Sequence, residues 1–78
     1  MNSTITIHID GYQSEDELKM DPSDTLAEVK KKLIEKGAKV DPSSRFMAHG
    51  RVLEENTPLH YQGVKDRSRL RKIGGIGN

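Results

Sequence analysis

The sequence predicts an α+β fold in which one main helix packs across a mixed sheet. Three observations carry that expectation. The chain opens on a period-two apolar run, its middle holds one amphipathic segment with start and stop signals of its own, and its second half is a series of short strand-like runs separated by turns. A chain of 78 residues argues for a single domain. At this size only about 60% of the unfolded surface is buried, so the core must be small.

Thr4-Ile5-Thr6-Ile7-His8-Ile9 alternates apolar and polar residues with β-branched side chains, which predicts a half-buried strand with Ile5, Ile7 and Ile9 inward. Asp10-Gly11-Tyr12-Gln13-Ser14 is a turn region, and Glu17-Leu18-Lys19-Met20 alternates again as the second strand of a hairpin. Pro22-Ser23-Asp24 breaks the pattern. Thr25-Leu26-Ala27-Glu28 then reads as a capping box opening a helix from about Leu26 to Lys36. Leu26, Val29, Leu33 and partly Ile34 form its apolar stripe. Lys30, Lys31, Lys32 and Lys36 are assigned to its wet side and last turns, and Gly37 to its stop.

Asp41-Pro42-Ser43-Ser44 is a second break. Arg45–His49 is read as a short strand, Gly50 turns it into Arg51-Val52-Leu53, Leu59-His60-Tyr61 holds a short helical turn, and Arg69–Ile73 is the last strand. The order ββαββ plus a final strand, confined to one small domain, packs its helix across a mixed sheet as a β-grasp. The domain body is expected over residues 1–73, with residues 74–78 as a tail.

Composition excludes several function classes. There is no Cys, hence no disulfide framework, thiolate metal site or cysteine nucleophile. The net charge of +1 makes no case for nucleic acid or an anionic membrane surface. No apolar run approaches the roughly 20 residues of a membrane span. His8, His49 and His60 show no metal-ligand spacing, and no serine sits in a nucleophile elbow. No cofactor and no enzymatic activity are expected; a cytoplasmic monomer is.

The tail carries the chemistry. Gly74-Gly75 follows the basic run Arg67-Ser68-Arg69-Leu70-Arg71-Lys72-Ile73 and precedes Ile76-Gly77-Asn78. A glycine carboxyl has no side chain, so it can thread a narrow channel and take backbone angles closed to other residues. Strand alternation puts Phe46 and Leu70 inward and therefore Met47 and Ile73 outward. With Tyr12 these would make one apolar recognition patch, and Met suits an adaptable surface. Arg45, His49 and Arg71 border it. A basic rim of Arg45, Arg67, Arg69, Arg71 and Lys72 is a solvated face, a means of steering an acidic activating enzyme or, less favoured because interleaved stacking aromatics are missing, an RNA contact.

These features are collinear with ubiquitin. Pro22-Ser23-Asp24-Thr25, Val29-Lys30, the series Asp41-Pro42, Arg45-Phe46, Gly50-Arg51 and Leu53-Glu54, then Leu59, Gly63-Val64, Ser68 and Leu70 follow its order and spacing, so that the chain resembles the ubiquitin-like modifier family over about residues 4–75. The resemblance implies a β-grasp precursor processed after Gly75, with Ile76-Gly77-Asn78 as the cleaved extension. It implies partners in sequence: a processing or deconjugating protease, an ATP-dependent activating enzyme, a conjugating enzyme, and target proteins whose lysines receive the Gly75 carboxyl. A sulfur carrier ending in a thiocarboxylate and a non-conjugated interaction module of the same fold remain open. The chain departs from ubiquitin in being about four residues shorter between Leu70 and the diglycine. The lysines that ubiquitin uses most for chains are replaced by Arg51 and Asp66. Lys72 stands where alternation points inward, so it either snorkels or marks the strand leaving the sheet.

Overall fold

The alternation of Ile5, Ile7 and Ile9 produces strand β1 (Ile5–Asp10), with those three side chains buried. It pairs antiparallel with β2 (Asp16–Met20), where Leu18 and Met20 fill the same inner face. Helix α1 (Leu26–Glu35), strands β3 (Arg45–Ala48) and β4 (Arg51–Val52), a 3-10 turn over Leu59–Gln62 and strand β5 (Arg69–Gly74) complete the chain. The computed structural model describes residues 4–10, 16–38 and 40–74. The strand order is β2-β1-β5-β3-β4, with β1 and β5 parallel and the other pairs antiparallel. This is the mixed sheet with one main helix that the order of elements implies.

Local chemistry sets each boundary. The Glu28 carboxylate accepts the Thr25 N–H at 3.0 Å and the Thr25 hydroxyl at 3.4 Å, while the Glu28 N–H donates to the Thr25 carbonyl at 3.1 Å. The first turn of α1 is thereby tied to its entry. Gly37 follows the Lys36 cap in the left-handed region and ends the helix. Ahead of α1, the Asp21 carboxylate accepts the Ser23 N–H at 2.9 Å and the Ser23 hydroxyl at 2.7 Å. The backbone bond, then the hydroxyl, holds its pKa below the ordinary carboxylate value.

Leu26, Val29 and Leu33 pack beneath the sheet against Ile7, Ile9, Phe46, Leu59 and Leu70. Two parts of the sequence-based reading change here. Lys30 is not on the wet side: it is 3% exposed, and its ammonium donates to the Pro42 carbonyl (2.7 Å), the Ser44 carbonyl (3.0 Å) and Glu55 Oε1 (2.7 Å). Ile34, assigned partly to the stripe, is 44% exposed. The physical reason is helix geometry. Positions 26, 29, 30 and 33 form the inward face, and the lysine occupies it because three oxygens replace its water.

Lys72 also departs from the expected basic rim. It is 9% exposed and pairs in register with Phe46, so the strand stays in the sheet instead of leaving it.

Two substitutions test this packing. Leu33→Ala removes a fully buried side chain and should destabilise by about 2–5 kcal/mol in denaturant titration. A loss below about 0.5 kcal/mol would mean that the helix face is misassigned. Lys30→Met keeps the aliphatic stem but strands two carbonyls. It should cost about 1–3 kcal/mol, and an unchanged midpoint would refute a structural role for the ammonium.

Candidate functional site

The outer face of the sheet carries the residues singled out at its C-terminal half. β3 alternates with Phe46 and Ala48 buried and Met47 half-exposed. The β3–β4 connection has two residues, His49 and Gly50, both at positive φ (54° and 80°), closing on the pair Ala48↔Arg51. Two consecutive left-handed residues make a type I′ turn, whose twist matches the hairpin. That turn sets Met47 opposite Val52, and β5 sets Arg71 on the other side of Met47. Val52 is 42% exposed and Ile73 is 37% exposed. Ile73 lies two residues beyond Arg71, the register partner of Met47, and shares its exposed side of β5. The result is an apolar triad of Met47, Val52 and Ile73, with exposed Arg45 and Arg71 beside it.

Of the expected surface residues, Arg45, Met47, Arg71 and Ile73 come together. Tyr12 lies outside the described residues. His49 instead lines a separate concavity with Arg51 and Tyr61. Val52 was missing from the sequence-based set. Its signal was the two-residue turn, which fixes register and so places Val52 opposite Met47.

The rim is narrower than the count of arginines suggests. Arg69 is bound to the Asp10 carboxylate at 3.0 and 3.3 Å, and Lys72 is inward. His8 sits on the same outer face between Glu17 and Arg69 in register, with Nδ1 buried, unbonded among the described residues, and 3.8 Å from Glu17 Oε2.

The end of β5 holds the most specific observation. Phe46 faces Lys72 and Arg45 faces Gly74, so β5 carries one extra residue, Ile73, in a bulge. Gly74, expected at the start of the tail, is the last residue of this strand and is half-buried. Its φ is not in the left-handed region, and a β-carbon built on it meets nothing within 4 Å. Gly50, by contrast, sits at φ 80° in its turn. Neither backbone angle nor space in this domain requires a glycine at 74. Gly75, Ile76, Gly77 and Asn78 lie outside the described residues.

Among the described residues, no group of three or more His, Asp or Glu is placed to hold a metal ion. His49 Nε2 and Ser68 Oγ lie 3.1 Å apart, the atoms of a Ser–His dyad. Ser68 is buried, however, and its Oγ also accepts the Lys65 N–H at 2.9 Å, so the contact pins the β3–β4 turn to the loop before β5. No helix among the described residues is long and apolar enough to cross a membrane.

Comparison with known proteins agrees with this geometry. The sequence model of the ubiquitin family matches residues 2–73. Among solved structures, the ubiquitin of Caldiarchaeum subterraneum superposes with a TM-score of 0.76 at 28% identity, covering 96% of this chain and 99% of that one. A protein from a study titled "Molecular Mimicry of SUMO promotes DNA repair" superposes at 0.81 with 14% identity, covering 95% of each chain. A designed protein based on ubiquitin superposes at 0.80 with 22% identity, covering 97% of this chain and 98% of that one. The last two similarities concern the fold alone. Comparison with curated protein sequences gave no match.

The surface assignment has a direct test. Met47→Ala should shift stability by no more than about 0.5 kcal/mol in thermal or chemical unfolding while weakening partner binding at the outer face. Loss of the fold would place Met47 in the core and remove the patch.

Proposed function

The chain belongs to the ubiquitin family, and from that membership we propose that it is a protein-modifier precursor, cleaved between Gly75 and Ile76 and then joined through the Gly75 carboxyl to lysines of target proteins. The observation that carries this reading is Gly74. The fold leaves room for a β-carbon there and imposes no left-handed angle. A missing side chain that the fold does not demand supports a strand end that enters a protease or adenylation channel shaped around two glycines. Met47, Ile73 and the two arginines lie on β3 and β5, the strands that meet at the Arg45–Gly74 pair, with Val52 on the neighbouring β4, so a partner docked there would sit beside the end of β5.

The chemistry belongs to the partners. Cleavage frees the Gly75 carboxylate. An activating enzyme couples it to ATP as an acyl adenylate, releasing pyrophosphate. A cysteine thiolate then displaces AMP to form a thioester, and a target lysine amine displaces the thiolate to leave an amide. What this chain supplies is a rigid body for recognition and a thin end for insertion.

A second reading rests on a specific feature. The sheet holds the chain as far as Gly74, leaving a single glycine before Ile76. That short reach favours a non-conjugated interaction module that uses the same outer face.

Charging separates the two. Incubated with cognate activating enzyme and ATP, a chain ending at Gly75 should form a thioester and the 78-residue chain should not. Gly74→Ala in the shorter chain should keep the fold within about 0.5 kcal/mol and abolish charging. Equal charging of both lengths would refute the processing step, and charging of neither would establish the interaction module.

A further inference from the structure

The β3–β4 turn and the 3-10 turn enclose a concave surface of about 310 Å³ lined by His49, Arg51, Tyr61, Gln62, Gly63 and Lys65. This lining has two fixed cations, an imidazole, one aromatic ring and no carboxylate. The Arg51 guanidinium and the Lys65 ammonium make no hydrogen bond or ion pair among the described residues. The acidic residues that neighbour them in sequence are already engaged. Asp66 Oδ1 accepts the Thr6 N–H at 2.8 Å, and Glu54 Oε1 accepts the Thr57 hydroxyl at 2.8 Å.

The wall is rigid where it needs to be. Gln62 is a staple: its Oε1 accepts the Glu54 N–H at 2.6 Å, and its Nε2 donates to the Glu54 and Thr57 carbonyls at 3.0 Å each. Its amide is therefore spent on structure and leaves recognition to its neighbours. Tyr61 is 74% exposed, its ring set edge-on to that of His60 at 4.4 Å. His49 occupies a left-handed turn position that disfavours a β-carbon and that asparagine or glycine would fill with less strain. Strained positions of this kind cluster at binding sites. Here the His49 ring, held through Nε2 by Ser68 Oγ at 3.1 Å, stands beside two unpaired cations.

We propose that this concavity is a docking site for an acidic polypeptide segment of a partner protein. Carboxylates of the segment pair with Arg51 and Lys65, and an aliphatic side chain lies on the Tyr61 ring. The occupant follows from charge complementarity: a lining with two fixed cations, no carboxylate and an exposed aromatic ring suits alternating acidic and aliphatic side chains. Single-stranded nucleic acid fits less well, because sequence-tolerant binding uses several stacking rings along a groove, and this site has one ring and room for about one nucleotide. The site is distinct from the Met47 face. Arg51 faces buried Ala48 in register, whereas Val52 faces Met47, so adjacent β4 residues project to opposite sides of the sheet. It does not depend on conjugation through Gly75.

The test uses the full chain and a labelled hexapeptide alternating glutamate and leucine, followed by amide chemical shifts in an isotope-labelled sample. Saturable shifts should concentrate at residues 49–51 and 61–65. The double variant R51E/K65E should weaken binding by at least about tenfold, and raising salt should weaken the wild type but not the variant. Tyr61→Ala, which touches no core residue, should weaken it independently of salt. Shifts spread equally over Lys31, Lys32 and Lys36, or an affinity unchanged in R51E/K65E with its melting curve intact, would overturn the proposal. Tighter binding of oligouridylate than of the peptide at the same amides would replace the acidic segment with RNA and overturn it as well.

Discussion

One ammonium group organises the half of the domain that leads to the end of β5. Lys30 projects from α1 into the interior and is held by the carbonyls of Pro42 and Ser44 and by the Glu55 carboxylate. Burying a lysine is unfavourable unless its donors are matched, and here all three are. The bonds tie the helix to two places: two reach the segment entering β3, and one crosses to the loop after β4. Ser44 immediately precedes Arg45, and Arg45 is the register partner of Gly74. The helix therefore sets the start of β3, and the start of β3 sets where β5 ends. An apolar side chain at position 30 would fill the volume, yet it would leave the 42–44 segment with unpaired carbonyls and no fixed entry into the sheet.

That same residue marks the limit of what was legible in the sequence. The order of elements, the capping box, the stop at Gly37 and the inward Ile5, Ile7, Ile9, Phe46 and Leu70 all follow from periodicity and turn chemistry, and the structure reproduces them. For Lys30, residue type points to the wet side and spacing points inward, and the spacing prevails. It is four residues after Leu26 and three before Leu33, squarely on the inward face. The carbonyls that make it tolerable come from a loop twelve or more residues away, which no local pattern contains. Lys72 has the same character. Alternation pointed it inward, and the pairing with Phe46 keeps it there.

The candidate site was half legible. Met47 and Ile73 follow from alternation once Phe46 and Leu70 are placed inward. Val52 does not, because its facing depends on the turn type, and the turn depends on His49 adopting a conformation more usual for asparagine. The bulge at Ile73 was also invisible, since it arises from pairing between strands far apart in sequence. Hence the sequence located a diglycine, whereas the structure alone places the first of its two residues inside the sheet.

If Gly75 is the conjugated residue, as proposed, that placement constrains the enzyme that acts on it. An extended chain spans roughly 3.3–3.6 Å per residue, so a tail about four residues shorter than ubiquitin's gives up on the order of 13 Å of reach. A partner cannot hold the body at a distance and fish for the terminus. It must bring its channel up to the end of the sheet, where Arg45 flanks Gly74 in register and Ile73 stands one residue before it. Surface recognition and terminal insertion, separable when a long linker joins them, become one docking event. The bulge then matters for more than twist. The extra residue in β5 sets how Gly74 leaves the sheet, so a change at Ile73 would alter both the apolar triad and, on the proposed reading, the approach of the chain end to an enzyme.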